Sequence, residues 1–172
     1  MPAMNKLARV SIVASAMSAA LSMFAGMAPS ASAASGPRLM NDNNYCLGSQ
    51  GGANRTNALQ WYCNSNPDQS WHFNKMGSDS HGTYYRVTND NGQCLGINGV
   101  SKASGATATV WDCNGNKDQL WYWQKGSSAG WYQMINRNSQ MCLGTKGSAV
   151  GAKAIQWPCN GNPDQRWGQL DH

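Results

Sequence analysis

Apolar residues in this chain come in short bursts separated by polar turn residues. Beyond residue 36 no stretch sustains the three-and-four spacing of an amphipathic helix. Segments such as ALQWYC (58–63), ATVWDC (108–113) and AIQWPC (154–159) instead follow Gly/Ala/Ser-rich runs and lead into Asn/Asp/Gly clusters. Short, apolar and bounded by turn formers, they read as strands. A period of two puts Leu59 and Trp61 on one face and Gln60 on the other, and Ile155, Gln156 and Trp157 repeat the arrangement. The tryptophan therefore shares its face with an aliphatic residue and a half-cystine, which predicts half-buried packing rather than an open platform.

The pattern recurs three times. CNSNPDQSW (63–71), CNGNKDQLW (113–121) and CNGNPDQRW (159–167) hold Cys, Asn, Asn, Asp, Gln and Trp in the same places. A second signature precedes each copy: CLG at Cys46–Gly48, Cys94–Gly96 and Cys142–Gly144, its cysteines 48 residues apart in both steps. Seven residues before each of these stands an aliphatic residue, Leu39, Val87 and Ile135. Each unit reads as four short strands, over about 37–80, 81–129 and 130–172. One unit is too small to bury its own apolar face, whereas three can share a core, and closing the sheet removes exposed edges. Trp71, Trp121 and Trp167 are the natural members of that shared core. Asn66-Pro67-Asp68-Gln69 and Asn162-Pro163-Asp164-Gln165 are turn sequences, and Lys117 shows that proline is not essential to them.

Composition narrows the class. The net charge of +5 is scattered, with no Lys/Arg cluster, which argues against nucleic acid. The first 33 residues differ from the rest: Lys6 and Arg9, an Ala/Met/Val/Ser-rich run from Val10 to Ala28, then Ala31-Ser32-Ala33 in small-x-small order. This predicts a cleaved signal peptide (1–33) and a secreted, extracellular product without a membrane span, folded over 34–172. All six cysteines fall in that part, as disulfides suited to an oxidising compartment. One pairing keeps the repeats equivalent with short loops: Cys46–Cys63, Cys94–Cys113 and Cys142–Cys159. Each such loop is worth about 3 kcal/mol by chain entropy. No CxxC or paired His suggests metal, and no cofactor is expected.

Three Cys-Leu-x signatures, a Trp two residues before each second Cys and a Gln-x-Trp six residues after it resemble the ricin-type β-trefoil lectins, the QxW-repeat domains, in the style of a bacterial secreted member. The resemblance covers about Pro37 to His172. It implies an all-β β-trefoil: twelve strands, a six-stranded barrel capped by three hairpins, and up to three shallow sugar sites, one per repeat. It also implies that Trp61, Trp111 and Trp157 are the stacking aromatics, with Asp68, Gln69, Asp118, Gln119, Asp164 and Gln165 as the polar partners. Two departures stand out. Gly48, Gly96 and Gly144 occupy the place of the family's key carboxylate, and Asp68, Asp118 and Asp164 replace the usual Asn before Gln. Both changes occur in every repeat, which suggests that the carboxylate has crossed from the CLG arm to the DQ arm, with Gly making room for a differently placed sugar; closure of the turn by its own Asp is an equal competing reading.

The expected function is a secreted, monomeric, non-catalytic module for glycans or polysaccharide. A protein-binding trefoil that has lost its sugar sites is the alternative. Catalysis is not expected: the carboxylates are all Asp and spread around a symmetric body, and His72, His81 and His172 lack a nucleophile pattern. Tyr84, Tyr85, Trp123, Trp131 and Tyr132 lie between the signatures, free to build sites of another kind.

Overall fold

The structure, a computed structural model, describes residues 35–171; the segment read as a signal peptide lies outside them. Twelve strands fall four to a repeat. The first has β1 (Arg38–Asn41), β2 (Cys46–Ser49), β3 (Thr56–Trp61) and β4 (Trp71–Asp79). The second has β5 (Gly82–Asn89), β6 (Cys94–Ile97), β7 (Ala108–Trp111) and β8 (Leu120–Lys125). The third has β9 (Tyr132–Asn136), β10 (Cys142–Thr145), β11 (Ala154–Trp157) and β12 (Trp167–Leu170). Only short 3-10 turns interrupt them among the described residues, three of these being the DQ turns at 67–69, 117–119 and 163–165.

The outer strands of each repeat build a barrel by antiparallel pairing of β1 with β12, β12 with β9, β9 with β8, β8 with β5 and β5 with β4. A bridge from Arg38 to Ser70 closes the ring. The middle strands pair as hairpins, β2–β3, β6–β7 and β10–β11, with Cys46 opposite Trp61, Cys94 opposite Trp111 and Cys142 opposite Trp157. The hairpins lean on each other around the axis through Thr56–Val110, Leu59–Lys153 and Thr107–Ile155. The closed sheet that the repeats predict is thus the β-trefoil that the resemblance implies, with every sheet edge of the barrel paired.

Trp71, Trp121 and Trp167 are fully buried. Each indole N–H donates to a carbonyl of its own repeat's CLG strand, Leu47, Leu95 or Leu143, at 2.8–2.9 Å. A buried indole is thus packed and satisfied at once. The layer is completed by Leu47, Leu95 and Leu143 and by Leu39, Val87 and Met134. The third repeat departs from the pattern of the other two. Met134, not Ile135, enters the core, and Ile135 is half-buried opposite Cys142. The turn after Asn136 is one residue longer than those after Asn41 and Asn89. Counting back from the cysteine therefore lands on the wrong side of the strand.

The disulfides are Cys46–Cys63, Cys94–Cys113 and Cys142–Cys159. Of the aromatics between the signatures, Tyr85 and Trp123 pack with Phe73 against the core, and Tyr132 stacks on Trp123 at 4.8 Å. These are packing contacts on barrel strands. Among the described residues no helix is long and apolar enough to cross a membrane.

Candidate functional site

In each repeat a CLG strand and a DQ turn meet over a cleft beside the hairpin tryptophan. The glutamine sets the geometry. Gln69 Oε1 accepts from the Asn64 N–H at 2.9 Å, and its Nε2 donates to the Tyr62 carbonyl at 3.0 Å. Gln119 bonds Asn114 and Asp112 in the same way, and Gln165 bonds Asn160 and Pro158. All three glutamines are buried. Their amides are committed to backbone and tie the end of each hairpin to its DQ turn.

The aspartates cross to the opposite arm. Asp68 Oδ2 accepts from the Ser49 N–H at 2.9 Å, and Asp164 Oδ2 from the Thr145 N–H at 3.1 Å, each on the strand residue after CLG. Asp118 makes the matching approach to the Ile97 N–H. The glycines make room for this. A Cβ at Gly48 would lie 2.9 Å from Asp68 Oδ2, and one at Gly144 only 2.5 Å from Asp164 Oδ2. At Gly96 the tightest contact is Gln119 Cγ at 2.8 Å, with Asp118 Oδ2 at 3.1 Å. A side chain on the CLG strand would therefore displace the carboxylate or the glutamine of the DQ turn. The Asp68 carboxylate also takes its own backbone N–H. Burial pushes the Asp68 carboxyl above the usual carboxylate range of 3.8, against the Ser49 hydrogen bond, and burial does the same to Asp118.

The tryptophans differ. Trp61 and Trp157 are 42% and 46% exposed. The expectation of half-buried packing fails here because the face that they share with Leu59 and Ile155 is the cleft, not the core. Leu59 and Ile155 line its floor, while Gln60 and Gln156 point inward. Trp111 is half-buried, and the Arg55 guanidinium lies over its ring with Cζ 4.2 Å from the centroid, at cation–π distance.

Arg55 comes from the neighbouring repeat, and its equivalents explain the difference. The residue six before each hairpin tryptophan is Arg55, Gly105 or Gly151, all at positive φ of 67°, 82° and 83°. Each donates its N–H across the axis in the same manner, to Val110, Gln156 or Gln60. Gly151 borders Trp61 and Gly105 borders Trp157, a bare backbone beside each ring. Only at the middle tryptophan does that position carry a side chain, and it covers the ring. The left-handed conformation costs a non-glycine residue about 1 kcal/mol, so the position itself favours glycine.

The other neighbour supplies an asparagine. Asn91 of the second repeat lines the first cleft, and Asn43 of the first repeat lines the third. Asn138, the equivalent facing the middle cleft, donates its amide to the Val100 carbonyl at 3.0 Å. The middle cleft is the smallest, about 150 Å³. The first holds about 390 Å³ and the third about 410 Å³ around Trp157. In the middle cleft Asp118 is buried, with Oδ1 unpartnered.

Repeat-internal reasoning found the Trp, Asp and Gln of every cleft. It missed Arg55, Asn43, Asn91 and Asn138, which act on a neighbour's cleft. The signal for Arg55 lay in alignment: two repeats have Gly six residues before Trp, and one has Arg. Among the described residues no group of three or more His, Cys, Asp or Glu is placed to hold a metal.

Comparison with known proteins agrees with this architecture. By structure the chain is similar to the designed threefold-symmetric protein ThreeFoil, with a TM-score of 0.73 and 21% identity over 79% of this chain and 98% of that one. It is similar to an exo-β-1,3-galactanase from Clostridium thermocellum at a TM-score of 0.72 and 21% identity, covering 80% of this chain and 30% of the galactanase. The hemolytic lectin CEL-III gives a TM-score of 0.63 and 25% identity over 80% of this chain and 31% of the lectin. The chain thus spans about a third of those two larger proteins. A sequence search of the curated proteins gave no match. Two family models match: the ricin-type β-trefoil lectin domain over residues 83–171 and its domain-like relative over 32–111. The chain belongs to the ricin-type β-trefoil lectin domain family, a carbohydrate-binding fold.

Proposed function

We propose that this chain is a secreted, non-catalytic glycan-binding module that uses two of its three clefts, those of Trp61 with Asp68 and Trp157 with Asp164. The observation that carries the reading is the pair of exposed indole faces, each beside a carboxylate with one oxygen anchored to the backbone of the CLG arm. An indole face suits the C–H side of a sugar ring. A fixed carboxylate oxygen accepts from a hydroxyl without loss of side-chain freedom. Gln69 and Gln165 contribute by holding these groups in place. Trp111, Asp118 and Gln119 form a cleft that Arg55 and Asn138 keep closed. Each cleft is lined by one aspartate and no second carboxylate, which speaks against glycoside hydrolysis. Three disulfides and the basic-then-apolar N-terminus support secretion.

The test is a glycan array with the oxidised protein, read beside pull-down on xylan, chitin and cellulose. A hit lost in Trp61→Ala/Trp157→Ala and kept in Trp111→Ala supports the reading. Silence on both panels, from protein with an intact fold, would overturn it and leave a protein partner as the ligand. Sizing of the product in culture medium checks export and the monomeric state.

A further inference from the structure

We infer that each open cleft is a two-subsite groove which reads an internal stretch of a neutral glycan chain, rather than one terminal sugar. This rests on the sugar-binding reading above. In the third repeat the cleft resolves into two depressions, of about 410 and 280 Å³, that share Thr145, Asn162 and Asp164. One depression runs over Trp157, Ile155 and Asn160. The other runs the opposite way from the carboxylate, between Asn43 of the first repeat and Gly147, Ser148 and Pro163. Asp164 is therefore the midpoint of a groove, not the end of a pocket.

The first repeat shows the same plan independently. There a single cleft takes in both sets of positions: Trp61, Leu59 and Asn64 on one side, and Asn91, Gly51, Gly52 and Pro67 on the other, with Ser49, Asn66 and Asp68 between. The Asn91 amide is 3.6 Å from where a Cβ on Gly52 would stand, so it borders the groove closely. Two repeats with different loop sequences thus place an amide from the following repeat beyond the carboxylate. Neither the Asn43 nor the Asn91 side-chain amide makes a hydrogen bond among the described residues; at Asn43 only the backbone N–H does, to Asn41 Oδ1. In the closed middle cleft the equivalent amide of Asn138 is spent on Val100.

This geometry selects the ligand. A single ring seated on Trp157 or Trp61 and bonded to the aspartate leaves the second subsite empty. A chain of two or more rings places one on the indole and the next against the asparagine, whose amide offers donors and an acceptor to hydroxyls. The only formal charge that lines the second subsite is the shared aspartate, which disfavours acidic sugars there.

The experiment is calorimetric titration of the full oxidised protein with ladders of one to four units of xylose, β-1,4-linked N-acetylglucosamine and β-1,3-linked galactose. In the ladder that binds, affinity should rise about tenfold from one unit to two. Asn43→Ala/Asn91→Ala should erase that rise, while Asn138→Ala should leave it in place. Equal affinity for one and two units would overturn the groove while leaving the sugar-binding reading intact, as would a rise that survives in the double variant. Binding of no ladder, by protein that is also silent on the array and the polysaccharides, would refute the sugar reading and the groove with it.

Discussion

The first and middle clefts share one set of repeated residues and differ in accessibility. Both have a hairpin Trp, an Asp that crosses to the CLG strand, a Gly that admits it and a Gln that braces the turn. Around Trp61 the neighbouring repeat offers Gly151, and the ring stays open. Around Trp111 it offers Arg55, which covers the ring, while Asn138 is tied to Val100. A threefold motif therefore does not produce three equal clefts. In a closed trefoil every cleft is finished by residues from both neighbours, and symmetry is lost wherever one of those differs.

The strongest way to break this comparison is to remove the indoles. Trp61→Ala/Trp157→Ala should weaken glycan binding about a hundredfold or more, because stacked, desolvated aromatics dominate such contacts. Trp111→Ala should leave affinity within about twofold, a null effect by the same reasoning. Retained binding in the double variant, measured by calorimetry, would place the ligand elsewhere.

Next in size is the exchange between glycine and carboxylate. Gly144→Ala puts a Cβ 2.5 Å from Asp164 Oδ2 and should displace that side chain. We expect a cost of about 1–3 kcal/mol in thermal or denaturant unfolding, and loss of the third site alone. An unaffected third site would show that the carboxylate has no set position.

Arg55→Gly sharpens the comparison in the other direction. It relieves a positive φ and gives up a cation–π contact, two effects of about 1 kcal/mol that oppose each other, so the fold should keep its stability. With Trp111 uncovered, the number of sites in a titration should rise from two to three. A count that stays at two would mean that Asn138 or the small volume of the cleft keeps it shut.

Acidification should have the smallest effect. The Asp68 carboxyl has a folded-state pKa above its ordinary value because it is buried. The proton thus binds the folded state more tightly than the unfolded one. That contribution to stability is full below the unfolded pKa and is lost as pH rises through the folded one. Lowering the pH from neutrality should therefore weaken sugar binding at the first cleft, starting above pH 3.8, without lowering stability through this group. Binding isotherms and melting curves at the same pH values separate the two, and Asp68→Asn should abolish the pH effect at that cleft.

Much of this was legible from the sequence. The spacing of CLG, hairpin Trp and QxW carries the trefoil, since those residues contact others of their own repeat: Trp71 with Leu47, Gln69 with Asn64, Cys46 with Cys63. The joint change at Gly48 and Asp68 was visible because both lie in one unit, but the sequence left open whether the Asp relocates or closes its own turn. In the structure its carboxylate takes both the Ser49 N–H and its own backbone N–H. What could not be read were contacts across repeats. Arg55 lies 56 residues before Trp111, and nothing local to either announces their meeting. The openness of Trp61 was misjudged for a related reason: strand alternation tells which residues share a face, not whether that face looks at core or solvent. Ile135 keeps the seven-residue spacing of Leu39 and Val87 yet yields the core place to Met134, because one extra turn residue flips the register.

The most direct test of unequal clefts is NMR of the indole N–H signals, assigned residue by residue, during titration with the glycan that binds. The account predicts that Trp61 and Trp157 shift in step with saturation, while Trp111 and the buried Trp71, Trp121 and Trp167 stay in place. A Trp111 signal that moves with the other two at the same ligand concentration would contradict it, and would show three working sites despite Arg55.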